Sequence, residues 1–213
     1  MYQTIIDCAN QHQKNILIIG SPRSGTHALS AELCAISGAT NLAEICKVGY
    51  CNDPWDDINK LSHAETMTIG QVVQLTPKLI LAENIDKIKQ YNIIVNIKRT
   101  DKVKQFASWM YFRVMDPTGL YGWHNHTVYK TRIKEKEITA TREHIDQFKL
   151  EQLIDDYFLP DFVLCYEKLT FNTQKTIVKN QFAFPLPEIF SNLTYVEEQL
   201  GTWQYSPEHF SNE

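Results

Sequence analysis

The residues in this chain best equipped for chemistry run from Gly20 to Gly25, Gly-Ser-Pro-Arg-Ser-Gly, and are followed by Thr26 and His27. Two glycines five positions apart enclose a proline and an arginine. Glycine lets a backbone turn tightly and approach a ligand, and an arginine guanidinium can hold two oxygens of a tetrahedral anion at once. Nucleotide loops of the form Gly-x-x-x-x-Gly-Lys-Ser/Thr share this glycine spacing, but Thr26 stands where their lysine would be and His27 where their hydroxyl would be. The cation here is Arg23, inside the loop. The usual handles for magnesium and a γ-phosphate are gone, and an anion site of another kind is left.

The flanking elements must position that loop. Ile16-Leu17-Ile18-Ile19 has the aliphatic, β-branched character of a strand buried on both faces. Leu29, Leu33 and Ile36 recur at helical spacing over residues 26 to 37, and Ser37-Gly38 ends the run. A strand, a glycine loop and a helix in succession aim the first N–H groups of the helix into the loop. The pattern returns at Ile93 to Ile97, a second clear strand that ends at Lys98-Arg99-Thr100-Asp101. A helix from about Asp101 to Arg113 follows, with Val103, Phe106, Ala107 and Met110 on one face.

Elsewhere the sequence predicts a shorter strand at Ile69 to Leu75 and a helix from Thr76-Pro77 to about Gln90. A long helix is expected between about Ala140 and Phe158, a last core strand at Asp161 to Tyr166, a helix over Lys168 to Asn180, and a short one near Glu197. Asn41 to Asp57 has no period and is expected to be a loop-rich connection carrying Glu44. Residues 115 to 138 break the pattern again and are expected to form a lid or acceptor loop. Strands alternating with helices predict an α/β fold with a mainly parallel sheet covered on both faces, formed as a single domain over residues 1–213. Ligands of such sheets bind beyond the carboxyl ends of the strands, which is where the loops after Ile19 and Ile97 lie.

Composition narrows the partners. The 21 basic and 25 acidic residues give a formal charge of −4, so nothing general favours nucleic acid or an anionic membrane surface, and any anion site must be local. The polar stretch Met1 to Asn15 lacks the apolar core of a signal peptide, and no apolar run approaches the roughly 18 residues of a membrane span. A cytoplasmic protein is expected. Cys8, Cys34, Cys46, Cys51 and Cys165 are odd in number and lack metal or redox spacing, so they read as reduced packing residues. Asn125-His126-Thr127 and Asn192-Leu193-Thr194 match a glycosylation pattern only by chance on this reading. His124 and His126 lack a third ligand at useful spacing for zinc.

Pro22-Arg23-Ser24-Gly25-Thr26 resembles the 5′-phosphosulfate loop of the sulfotransferase family, Pro-(Lys/Arg)-Ser-Gly-Thr-(Thr/Ser), at five of its six positions. His27 departs from it, although a histidine can donate a hydrogen bond in place of the hydroxyl. Arg99 and Ser108, nine residues apart, resemble the family's arginine and serine that grip a 3′-phosphate, with one residue more between them than is usual there. Leu164-Cys165-Tyr166-Glu167-Lys168-Leu169 resembles the family's Tyr-Glu-Asp-Leu at a late strand end. The Arg-Lys-Gly segment of the cytosolic vertebrate enzymes is absent, which points to a microbial, viral or carbohydrate-type branch.

The resemblance implies the co-substrate 3′-phosphoadenosine 5′-phosphosulfate, with no metal, and transfer of its sulfuryl group to a hydroxyl of a small-molecule or glycan acceptor. Pro22, Arg23, Ser24, Gly25, Thr26, His27, Arg99 and Ser108 would bind the nucleotide. Arg23 would also stabilise charge in the transition state, as a positioned cation does in phosphoryl transfer. A base is needed for the acceptor. Glu44, about twenty residues past the loop, resembles the family's base, while His27 is its rival and His124 and His126 lie in the expected lid. The basic stretch Lys130, Arg132, Lys134 and Lys136 alternates with acids and reads as a solvated helix face or as an attractor for an anionic glycan. A P-loop kinase and a non-catalytic nucleotide-binding protein are the competing classes.

Overall fold

A computed structural model of the chain describes residues 1–45, 60–61, 64–73, 82–115, 138–171 and 189–201. In chain order the elements are α1 (Tyr2–His12), β1 (Asn15–Ile19), α2 (Thr26–Ser37), β2 (Thr40–Glu44), β3 (Thr68–Val72), α3 (Ala82–Tyr91), β4 (Asn92–Lys98), α4 (Lys102–Met115), α5 (Arg142–Glu151), α6 (Ile154–Tyr157), β5 (Phe162–Cys165) and α7 (Leu193–Leu200). They divide into two compact units, one formed by Met1–Arg99 with Glu151–Phe182 and the other by Thr100–Leu150 with Ala183–Glu213. No helix among the described residues is long and apolar enough to cross a membrane.

The first unit is built on β1. Its five residues are buried on both faces, as the aliphatic run predicts. The five strands form one sheet in the order β2-β3-β1-β4-β5, and every pairing is parallel. Ile19, the last residue of β1, pairs with Val72 of β3 on one side and Asn96 of β4 on the other. Ile16 and Ile18 face a core layer with Ile5, Ile6 and Ala9 of α1 and Leu29 and Leu33 of α2, while Leu17 and Ile19 face Ile88 of α3 together with Ile154 and Phe158. The sheet is therefore covered on both sides, and each fully buried aliphatic side chain contributes about 1.5–3 kcal/mol. The expected α/β class holds. The chain leaves β1 toward β2 and leaves β4 toward β5, so the ends of these adjacent strands flank a topological switch point, where doubly wound sheets bind ligands.

The second unit packs Phe106, Trp109, Met110 and Tyr111 of α4 against Ile145 and Phe148 of α5, Phe190, and Val196 and Leu200 of α7. Phe106 stacks on Phe190 with centroids 5.4 Å apart and meets Phe148 edge-on at 5.1 Å. The Asp101 carboxylate accepts the Lys104 N–H at 2.9 Å and caps α4.

Two expectations are corrected. The start of the supposed loop at 41–57 is the edge strand β2, which pairs with β3 through an irregularity between Asn41 and Ala43 that scrambles its alternation. The long helix expected over 140–158 breaks after Glu151, where Gln152 and Asp155 are buried and turn their polar groups to the start of the Gly20–Gly25 loop. β3 ends at Val72, and its Gly70 is small because Ile45 and Leu61 lie 3.1 and 3.2 Å from where a Cβ would be. The expected lid lies almost wholly at 116–137, and that span, the basic stretch, His124, His126 and residues 172–180 are outside the described residues.

Candidate functional site

The site is assembled from the loop between β1 and α2. Its first member, Ser21, is fixed from behind: its N–H donates to Asp155 Oδ1 at 3.0 Å, and its hydroxyl lies 2.9 Å from Gln152 Oε1 and 3.2 Å from Asp155 Oδ2. Asn96 of β4, the partner of Ile19 in the sheet, donates its side-chain amide to the Asp155 carbonyl at 3.0 Å and braces the same corner. The loop then closes on itself, because the Ser24 N–H donates to the Ser21 carbonyl at 3.0 Å. Gly20 is required by this closure. A Cβ there would overlap the Ser24 hydroxyl and stand 2.7 Å from the Ile97 carbonyl oxygen.

Arg23 and Gly25 take left-handed backbone conformations, with φ of 68° and 107°. For glycine this is free, but for arginine it costs about 1–2 kcal/mol. Left-handed residues within a turn direct neighbouring N–H groups into one concavity, a form suited to anions. Gly25 is also the N-cap of α2, with no side-chain capping bond and no acid in the first turn, so the positive end of the helix dipole is not offset by its own sequence. Thr26 is buried and His27 half-buried in that first turn, and Pro22 is half-buried at the bend. Ser24 is fully enclosed, and its hydroxyl oxygen has no hydrogen-bond partner among the described residues. A buried hydroxyl in that state is satisfied by a ligand oxygen or left at a cost of about 1–3 kcal/mol.

Arg99, immediately after β4, meets the loop. Its Nη1 donates to the Arg23 carbonyl at 3.5 Å, a long bond, and its guanidinium carbon lies 5.1 Å from the centroid of the Tyr166 ring. The Tyr166 ring also backs Gly25, where any Cβ would run into it. Beyond the ring, Glu167 brings its Oε1 to 3.6 Å from Arg99 Nε and accepts at Oε2 from the Cys165 thiol at 3.3 Å. The Arg23 guanidinium is held down to a pKa of about 10, first by burial and then by the charge of Arg99, with Tyr166 acting in the opposite direction. It stays protonated at neutral pH. Two cations thus share the ends of two adjacent strands, an arrangement that an anion with several oxygens relieves.

Of the residues singled out by sequence, Pro22 to His27 and Arg99 are brought together here. Glu44 is not in a loop: it ends β2, in register with Gln71, which is in register with Ile18. It therefore lies two strands from β1, roughly 10 Å across the sheet at the usual strand spacing, and is half-buried. Ser108 is buried in α4 of the second unit. Sequence reasoning noticed Tyr166 and Glu167 as a motif without giving either a role, and it missed Gln152 and Asp155, whose contacts with Ser21 span 131 and 134 positions. Among the described residues no group of three or more His, Cys, Asp or Glu is placed to hold a metal ion. Compared with family models, with curated proteins and with solved structures, the chain matches none.

Proposed function

We propose that the protein is a sulfotransferase that moves a sulfuryl group from 3′-phosphoadenosine 5′-phosphosulfate to a hydroxyl of a small-molecule or carbohydrate acceptor, in the cytoplasm. The observation that carries this reading is the pair of arginines at the ends of β1 and β4, with Arg23 inside a glycine loop that has no lysine. The loop suits the donor's charged groups on two further counts. The enclosed Ser24 hydroxyl has no hydrogen-bond partner among the described residues, and α2 starts at Gly25 with no side-chain cap and no acid in its first turn.

The donor supplies a sulfuryl group bonded to a phosphate that leaves when the acceptor oxygen attacks. Arg23, Ser24 and the first-turn N–H groups of α2 hold that phosphate and stabilise the charge it gains as the sulfur–oxygen bond breaks. Arg99 holds the 3′-phosphate. Glu44 takes the proton of the acceptor hydroxyl as the new sulfur–oxygen bond forms, and His27 is the other candidate for that proton.

A P-loop kinase is the alternative class, and Thr26 in place of the loop lysine speaks against it. The test is transfer from donor labelled in the sulfuryl group, against a panel of carbohydrate, phenolic and aliphatic hydroxyls. Labelled product formed in step with adenosine 3′,5′-bisphosphate supports the reading. Consumption of ATP, with the phosphosulfate left intact by every acceptor class, overturns it.

A further inference from the structure

We propose that Glu167 is a positioning residue that acts through Arg99, holding the guanidinium by its Nε edge so that the Nη edge is presented to an anion at the loop after β1. The inference rests on the reading of that loop as an anion site and adds the group that presets one of its cations.

The geometry is that of a brace. Cys165 ends β5 in register with Lys98, which ends β4, so Arg99, one residue past β4, emerges beside Tyr166 and Glu167, one and two residues past β5. The Glu167 carboxylate is engaged at both oxygens, by the Cys165 thiol at 3.3 Å and by Arg99 Nε at 3.6 Å. The Tyr166 ring lies under the guanidinium, and Nη1 reaches the Arg23 carbonyl. Edge, face and tip of the Arg99 head group are each fixed by a different residue.

The contact with Glu167 is too long for a hydrogen bond, and Arg99 Nε makes none. Glu167 therefore orients the guanidinium by charge without using up its donors. Among the described residues, the hydrogen bond that Arg99 makes is the long one to Arg23. A guanidinium that is 15% exposed, with donors to spare, is built to receive an acceptor from outside the chain. Arginine loses much rotamer freedom when it is immobilised, so one already held in place binds an anion more tightly than one that must be ordered on binding. The carboxylate also repels an incoming anion. It sits on the far edge of the guanidinium and is 32% exposed, so solvent and salt weaken that repulsion, and the gain from orientation is the larger effect.

The experiment is calorimetric titration of the full chain with adenosine 3′,5′-bisphosphate and, separately, with inorganic pyrophosphate, using wild type, Glu167→Gln, Arg99→Ala and the double variant. Glu167→Gln is expected to weaken bisphosphate binding about tenfold while its melting temperature stays near wild type, and to change affinity by less than about twofold once Arg99 is alanine. A merely structural glutamate would instead lower the melting temperature and weaken binding equally in both backgrounds. Binding by Glu167→Gln as tight as wild type or tighter, or a loss that persists in the Arg99→Ala background, overturns the proposal. If wild type binds pyrophosphate but not the bisphosphate, with the same non-additivity, the nucleotide reading fails and the positioning role stands; if it binds neither, both fail.

Discussion

Arg99 donates from Nη1 to the carbonyl oxygen of Arg23 at 3.5 Å, so the cation that ends β4 is tied to the backbone of the cation in the loop after β1. It also brings two like charges near each other, and the pKa of Arg23 is lowered first by burial and then by the charge of Arg99. A fold gains nothing in stability from holding two guanidinium groups together at a strand end. What it gains is a site whose repulsion an anion removes.

Arg23 is held at a φ of 68°. Replacing it with glycine removes about 1–2 kcal/mol of left-handed strain and returns about 0.5–1 kcal/mol through the freer unfolded chain. Arg23→Gly is therefore expected to melt about 1–3 °C higher than wild type while transfer falls about 10²–10³-fold, as when one oxyanion donor is lost. A variant that melts lower and keeps its turnover would separate Arg23 from the chemistry.

The pKa of Arg23, lowered to about 10, gives the binding a pH signature. An anion favours the protonated guanidinium, so affinity is expected to be level from about pH 7 to 9 and to fall as pH rises through about 10. Near that pH the complex takes up a proton, up to about half an equivalent, which titration in buffers of different ionisation enthalpy measures. The Arg23→Gly variant should lose this uptake. Unchanged uptake in the variant would assign the titration to another group.

Gly25 has no room for a side chain. Gly25→Ala places a methyl group against the Tyr166 ring at a φ of 107° and is expected to cost about 2–4 kcal/mol, a fall in melting temperature of about 4–12 °C. Changing Tyr166 to serine in the same chain should recover the part due to overlap, seen as non-additivity in a double-mutant cycle. Strict additivity would mean that the ring does not back the loop.

The loop, its strand and its helix were legible because each rests on neighbours in sequence. Four aliphatic residues, a glycine turn and the spacing of Leu29 and Leu33 predict β1, the bend and α2, and the helix ends at Gly38 as expected. β4 and Arg99 were legible for the same reason. β2 was not, because an edge strand buries less, and its bulge removes the alternation that would announce it. Nothing local marks Asp155 as the partner of Ser21, and the helical period that runs past Glu151 hides the break that brings Asp155 to the loop. Tyr166 stood out as part of a motif, but its place between Gly25 and Arg99 follows from β5 pairing with β4, which is a property of the sheet.

Glu44 remains at the carboxyl end of the sheet even though its surroundings differ from those expected. Glu44→Gln is expected to lower turnover about 10²–10⁴-fold and to leave bisphosphate affinity within about twofold of wild type. Retained turnover would move the proton acceptor to His27.

Whether the loop after β1 and Arg99 together bind a phosphosulfate nucleotide is decided by titrating the purified protein with adenosine 3′,5′-bisphosphate and with ATP plus magnesium. The bisphosphate is expected to bind more tightly than ATP, and its binding to weaken about tenfold or more when Arg99 becomes alanine. Tighter binding of ATP with magnesium, or bisphosphate affinity indifferent to Arg99, would contradict it.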